Sequence, residues 1–265
     1  MKKIKLVLIL SALSCTSNVM AAEKKSDEQL KDMSDPLAIY TQAAIGFTDK
    51  GFNFKVGQTY ETGDPVTGAM NIVEIKGVAG DLAGWSGSQR RDNSIDSFRI
   101  RNLTANIENG RGAQLDIDYN VEQESMNASY SFLQALPAMG IFNLYPLAGV
   151  GLNLRNGDVG MQGETTANTS GYNISGTYFL VGTYSKLAIT DKIWINYNPM
   201  WLTTLSGSDN YVDNAYGSGY SNVLLHELVL SYQITPRFNV RYFGNWTNHQ
   251  NYFDGDQRVE FNYQF

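Results

Sequence analysis

The chain has 265 residues, 43% of them hydrophobic, 12% aromatic and only 17% charged, with 25 glycines and a formal net charge of −6. The charged fraction lies below the roughly 25% of soluble domains, six prolines and no low-complexity block argue against disorder, and the acidic balance argues against nucleic-acid binding. Beyond the first twenty residues no run of about 18 apolar residues occurs, so transmembrane helices are excluded.

Residues 1–21 read as a secretory signal. Lys2, Lys3 and Lys5 form the positive region, Leu6 to Leu13 the apolar region, and Val19-Met20-Ala21 a small-residue cleavage site. Cleavage there removes three lysines and brings the net charge to −9. The single cysteine, Cys15, lies inside the leader. A lipoprotein signal would acylate it, but Ala12-Leu13-Ser14 lacks the leucine expected three residues ahead. Without Cys15 the processed chain has no thiol, which suits an oxidising compartment without a disulfide framework.

Residues 22–35 form a polar extension relieved only by Leu30 and Met33, with a plug as the alternative role. Residues 36–47 are the first predicted strand. Asp35-Pro36 also has the form of a helix N-cap followed by proline, which makes a helix over Leu37–Gly46 the alternative. Strict alternation then sets in. Phe52, Phe54, Val56 and Tyr60 oppose Asn53, Lys55, Thr59 and Glu61; Ala113, Leu115, Ile117 and Tyr119 oppose Gln114, Asp116, Asp118 and Asn120. Farther on, Ile193, Ile195, Tyr197 and Trp201 oppose Trp194, Asn196 and Asn198, and Phe238, Val240, Tyr242 and Trp246 oppose Asn239, Arg241 and Asn245. A period of two places each set on its own face of a strand. Asn109-Gly110-Arg111-Gly112 has the residues of a tight hairpin turn, and Ile189-Thr190-Asp191-Lys192 and Ile234-Thr235-Pro236-Arg237 are two copies of another short connection.

The chain ends in Arg258-Val259-Glu260-Phe261-Asn262-Tyr263-Gln264-Phe265, an alternating strand closed by an aromatic residue. With the leader, this terminus resembles the closing strand of bacterial outer-membrane β-barrel proteins. The resemblance covers about Pro36 to Phe265 by pattern, and the leader and last strand by distinctive residues. It implies a closed antiparallel transmembrane up-and-down β-barrel over 36–265, a periplasmic extension over 22–35, and Phe261, Tyr263 and Phe265 as the signal read by the barrel-assembly machinery. Outer-membrane lipid and lipopolysaccharide are the further partners implied.

In such a barrel the apolar face meets lipid and the polar face meets the lumen. Counting back from the last strand gives twelve: 36–47, 52–61, 69–79, 95–108, 113–122, 125–134, 141–154, 173–187, 193–204, 222–233, 238–248 and 256–265. Ten is the total if 36–47 is helical. The stretches 81–94, 155–172, 205–221 and 249–255 become external loops.

The residues predicted to line the lumen are Lys55, Glu61, Glu74, Lys76, Arg99, Arg101, Asp116, Asp118, Glu122, Arg241, Arg258 and Glu260. Across the Asn109-Gly110 hairpin, Arg99 and Arg101 fall opposite the carboxylates from Asp118 to Glu122. Such a ladder either packs as an ionic plug or walls a narrow wet passage. The preferred function is a small passive channel for ions or small polar solutes. A plugged surface-recognition barrel and an autotransporter-like translocator are the alternatives. His226 and His249, with Glu227, Asp254 and Asp256 nearby, are the only residues that suggest general-base chemistry, and they lack a nucleophile context, so no enzyme is expected. No metal-ligand spacing occurs. Residues 209–214 offer oxygen ligands but lack the glycine and distal glutamate of a calcium loop, and Gly149-Val150-Gly151 lies within a strand. No cofactor is expected.

Overall fold

Alternation becomes strand almost everywhere it is expected in the computed structural model, which describes residues 30–84, 94–157 and 171–265. The strands are β1 (Gln42–Thr48), β2 (Gly51–Glu61), β3 (Thr67–Val78), β4 (Ser97–Asn106), β5 (Arg111–Asn120), β6 (Ser125–Gln134), β7 (Phe142–Asn156), β8 (Tyr172–Ala188), β9 (Ile193–Tyr197), β10 (Met200–Gly207), β11 (Asn222–Thr235), β12 (Phe238–Thr247) and β13 (Asp256–Gln264). All neighbours are antiparallel, and β1 pairs with β13 over seven residues, from Gln42↔Gln264 to Thr48↔Arg258, so the sheet closes on itself. Closure leaves no free strand edge, the condition for a sheet to cross hydrocarbon.

Strands β9 and β10 are two halves of one crossing, since both pair with β8 and with β11. The interruption is Asn198-Pro199. Proline has no N–H to give the ladder, and the Asn198 side chain replaces part of what is lost: its Oδ1 accepts from Ser185 N at 3.0 Å and its Nδ2 donates to Glu227 Oε1 at 2.8 Å. Counted as crossings, the barrel has the expected twelve strands.

The distribution of burial is the reverse of a water-soluble sandwich. Among the described residues the largest fully buried side chains are Gln264, Glu74, Glu260, Asn53, Asn239, Asn262 and Ser231, all polar. Val56, Ile100, Phe132, Val150 and Leu230 face outward and are about half exposed or more. An apolar belt around a polar interior is the arrangement a bilayer requires. The barrel axis therefore crosses a membrane.

Both ends of the barrel chain and the turns 107–110, 189–192 and 236–237 lie at one end; 208–221 and 248–255 lie at the other, with the shorter turns 49–50 and 121–124. In outer-membrane barrels the short turns face the periplasm and the long loops face outward. The hairpin turn forms over 107–110, with Gly110 at φ 66°, where a side chain would be strained, while Arg111 and Gly112 of the expected turn already pair in β5. Of the expected external loops, 85–93 and 158–170 lie outside the described residues, as do the signal peptide, Cys15 and residues 22–29.

The strand expected over 36–47 begins only at Gln42, and no helix forms over Leu37–Gly46. The Asp35-Pro36 signal resolves instead as a turn: Asp35 Oδ1 accepts from Leu37 N at 2.9 Å, and Asp35 O accepts from Ala38 N at 3.0 Å. Residues 31–41 do not run along the wall. They cross the periplasmic mouth inside the barrel, because their side chains find partners there that a strand would have denied them.

Candidate channel lumen

Glu74, on β3, is the centre of the charged wall. Its side chain is 2% exposed, and its Oε1 accepts from Arg258 Nη1 at 2.8 Å and from Asn53 Nδ2 at 2.6 Å. Arg101 and Lys76 approach its carboxylate at 3.7 and 3.9 Å. Beside it, Lys55 Nζ reaches Glu260 Oε1 at 2.5 Å and Asn262 Oδ1 at 3.0 Å. Strand register explains the cluster. Lys55 lies opposite Glu74, Glu74 opposite Arg99 and Arg99 opposite Asp118, so one row of inward positions alternates in charge across four strands. Gly46 on β1 makes the space: a Cβ there would lie 2.2 Å from Asn53 Oδ1.

Arg99 forms a two-pronged pair with Asp116, donating Nε to Oδ1 at 2.8 Å and Nη2 to Oδ2. Gln114 adds a donor to the same carboxylate at 3.2 Å. Planar forks of this kind combine strength with fixed geometry. Burying so many charges is tolerable only because each finds partners. The Arg258 guanidinium also lies 4.1 Å from the centre of the Phe243 ring.

Ten of the twelve predicted lumen residues thus face inward, and all but Arg241 belong to the charged wall. Arg241 stands apart: it donates to the backbone carbonyl of Met33 and lies 5.7 Å from the centre of the Trp194 ring. Glu61, at the periplasmic end of β2, and Glu122, in the external turn after β5, are exposed at the two rims. Glu227, Asn53, Gln114 and Asn198 share the wall but were not among the predicted residues. The inward parity of β11 points to Glu227, but Val223, Leu225 and Val229 share that face and hide the polar pattern.

The periplasmic mouth is spanned by residues 31–41. Lys31 N donates to Gln264 Oε1 at 3.1 Å, and Gln264 Nε2 donates back to Lys31 O at 3.0 Å. Asp32 pairs with Lys186 at 2.8 Å. Met33, 4% exposed, offers its sulfur to Gln233 and Asn239 at 3.4 and 3.5 Å. Leu37 packs against Leu133, Tyr145 and Leu147, in space left by Gly112, where a Cβ would come within 2.9 Å of Leu37 Cδ2. These contacts reach β5, β6, β7, β8, β11, β12 and β13, so the segment crosses the opening instead of lining one side. A cavity of about 180 Å³ separates it from the charged wall. Beyond that wall, toward the external end, lies a larger cavity of about 620 Å³.

The residues that suggested chemistry are dispersed. His226 faces outward, with Nδ1 2.8 Å from the Tyr197 hydroxyl and its ring stacked on Trp246 at 4.8 Å. Glu227 faces the lumen, so the two cannot act as a pair. His249 stacks on Tyr220 at 3.8 Å. Residues 209–214 form a short helix, α1 (Asp209–Asn214), capped by Ser208 Oγ, which accepts from Tyr211 N at 3.2 Å. Phe261, Tyr263 and Phe265 lie on the outward face, where Phe261 stacks on Phe238 and Tyr263 meets Phe265 edge-on.

No protein-family model and no curated protein sequence matches the chain. Among solved structures, the chain resembles the NanC porin with a TM-score of 0.51 at 8% identity, over 85% of this chain and 98% of that one. The KdgM porin in complex with disordered oligogalacturonate gives 0.44 at 11% identity, over 86% and 99%. The translocator domain of the autotransporter NalP from Neisseria meningitidis gives 0.45 at 12%, over 97% and 98%. At these identities the likeness to NanC speaks for the fold alone. Closure of the sheet, the outward apolar belt and that likeness agree: this chain has the twelve-stranded fold of the bacterial outer-membrane β-barrels.

Proposed function

We propose that the protein is a narrow passive channel of the bacterial outer membrane for ions and small polar solutes, closed at its periplasmic mouth by residues 31–41 in the state described here. The observation that carries this reading is the unfilled outer lumen. A cavity of about 620 Å³ is bounded by partly exposed Lys76, Arg99 and Arg258 and by Asp116 and Asp118. Charged groups of both signs favour no strong ion selectivity, so passage is governed by size. The NanC structure is a porin, which accords with a channel.

The segment across the mouth also favours a second reading, a permanently plugged barrel whose external loops bind lipopolysaccharide or another surface. Liposome swelling separates the two. Vesicles containing the folded protein should swell in small polar solutes such as glycerol and arabinose, and fail to swell in a trisaccharide. Equal, negligible swelling in all of them would leave the plugged barrel as the better account.

A further inference from the structure

The outer lumen has two unlike walls. On β4 to β6 its inward residues include Arg99, Asp116, Asp118, Asn127 and Ser129. On β7, β8, β10 and β11 the same depth of the barrel presents Leu147, Leu180, Met200, Leu202, Val223 and Leu225. Register makes these six one patch: Leu147 lies opposite Gly182, Gly182 opposite Met200 and Met200 opposite Leu225, while Leu180, Leu202 and Val223 form the next row. Tyr211 and Tyr216, from the loop carrying α1, extend the patch at the external mouth. Leu147 and Val223 are buried at the edge of the patch, while Leu180, Met200, Leu202 and Leu225 remain partly open to the cavity and gain when an apolar body covers them.

The charges lining the cavity balance. Lys76, Arg99 and Arg258 are matched by Asp116 and Asp118 and by Glu227 on β11, and the remaining carboxylate, Asp256, is tied to Lys50 at 2.6 Å. A lone anion bound there would meet Asp116 and Asp118, and a lone cation would meet Arg99 and Lys76. A head group carrying both charges a few ångströms apart matches the alternation.

We propose that this cavity is a binding site for small zwitterions with an apolar body, of which α-amino acids with large apolar side chains are the simplest class. The side chain lies on the Leu180–Leu202 patch; the carboxylate faces Lys76 and Arg99, and the ammonium faces Asp118. A volume of about 620 Å³ falls within the range of small-molecule sites, about 300–1,000 Å³. The proposal deepens the channel reading, because the site lies in the same lumen, but it is tested by equilibrium binding and requires no conduction.

The test is calorimetric titration of the full processed protein, folded in detergent, with L-phenylalanine, 3-phenylpropanoate, 2-phenylethylamine and glycine. Phenylalanine should bind at least about tenfold more tightly than each of the others, and Asp118→Asn and Leu202→Asn should each weaken it by about tenfold. Heat-modifiable migration on gels establishes that each variant is folded, and the ligand series on the unaltered protein decides the matter if a variant fails to fold. Binding of 3-phenylpropanoate or 2-phenylethylamine as tight as that of phenylalanine would overturn the proposal, as would no binding of phenylalanine at tens of millimolar. Swelling of vesicles in glycerol would stand in either case.

Discussion

Glu74 shows how much of this barrel rests on single side chains. One carboxylate, 2% exposed, receives Arg258 and Asn53 directly and faces Arg101 and Lys76. Removing one partner from a buried ionic set leaves the others charged and uncompensated, at about 3–5 kcal/mol. Glu74→Ala should therefore lower the unfolding free energy in detergent by about that amount, followed by tryptophan fluorescence in a urea titration. Glu61→Ala, on the exposed rim, should change it by no more than about 0.5 kcal/mol. Equal effects would show that the buried wall is not a cooperative unit. At this scale the sequence is a good guide where alternation is clean. Lys55, Arg99 and Asp116 declare their side of the strand through their neighbours. It fails where both faces are apolar: Tyr178-Phe179-Leu180-Val181 and Val223-Leu224-Leu225 show no polar partner at alternate positions, so the inward leucines pass for ordinary strand. That loss of alternation is itself the signal of an apolar lumen wall.

At the scale of elements, residues 31–41 depart most from the sequence reading. Their composition gives a polar extension followed by a strand or helix, because only local residues count in that judgement. Their conformation is set by distant partners instead: Gln264, Lys186, Asn239 and Leu133 are all far away in the chain. The latch between Asp32 and Lys186 has a definite pH dependence. Partial burial works to raise the Asp32 carboxyl, but hydrogen bonds from Lys186 and Ser34 prevail and hold it below the usual carboxylate range. A depressed carboxyl contributes its stabilisation fully above its unfolded pKa, about 3.9, and loses it as pH falls through the lower folded value. Opening of the mouth should rise on acidification below about pH 4, read as channel open probability between pH 7 and pH 3. Asp32→Asn should be more open at neutral pH and lack that acid component. An identical acid response in Asp32→Asn would remove Asp32 from the latch. The turn at Asn109-Gly110, by contrast, is legible from two residues, since its geometry depends on backbone conformation alone.

For the whole molecule, the decisive property is inversion: polar residues inside, apolar residues out. Alternation alone is symmetric and cannot tell which face is buried. The structure resolves that symmetry: Asn53, Glu260 and Asn262 are buried, while Val56 and Leu230 are about half exposed. Assembly should depend on the terminus accordingly. Phe265 is partly exposed on the outward face, edge-on to Tyr263, and contributes little to the interior. Deleting Phe265 should sharply reduce the heat-modifiable folded form in cell envelopes while purified protein still refolds in detergent. A deletion that assembles normally in cells would show that the last residue is not part of an assembly signal.

The central claim is that a narrow aqueous lumen is closed by residues 31–41, and single-channel recording in planar bilayers tests it most directly. The unaltered protein should give brief, discrete steps of small conductance. The double variant Met33→Ser, Leu37→Ser, which empties the seat of the segment, should give steps of longer duration at the same voltages. Silence from both proteins, with folded barrels present in the membrane, would contradict the claim.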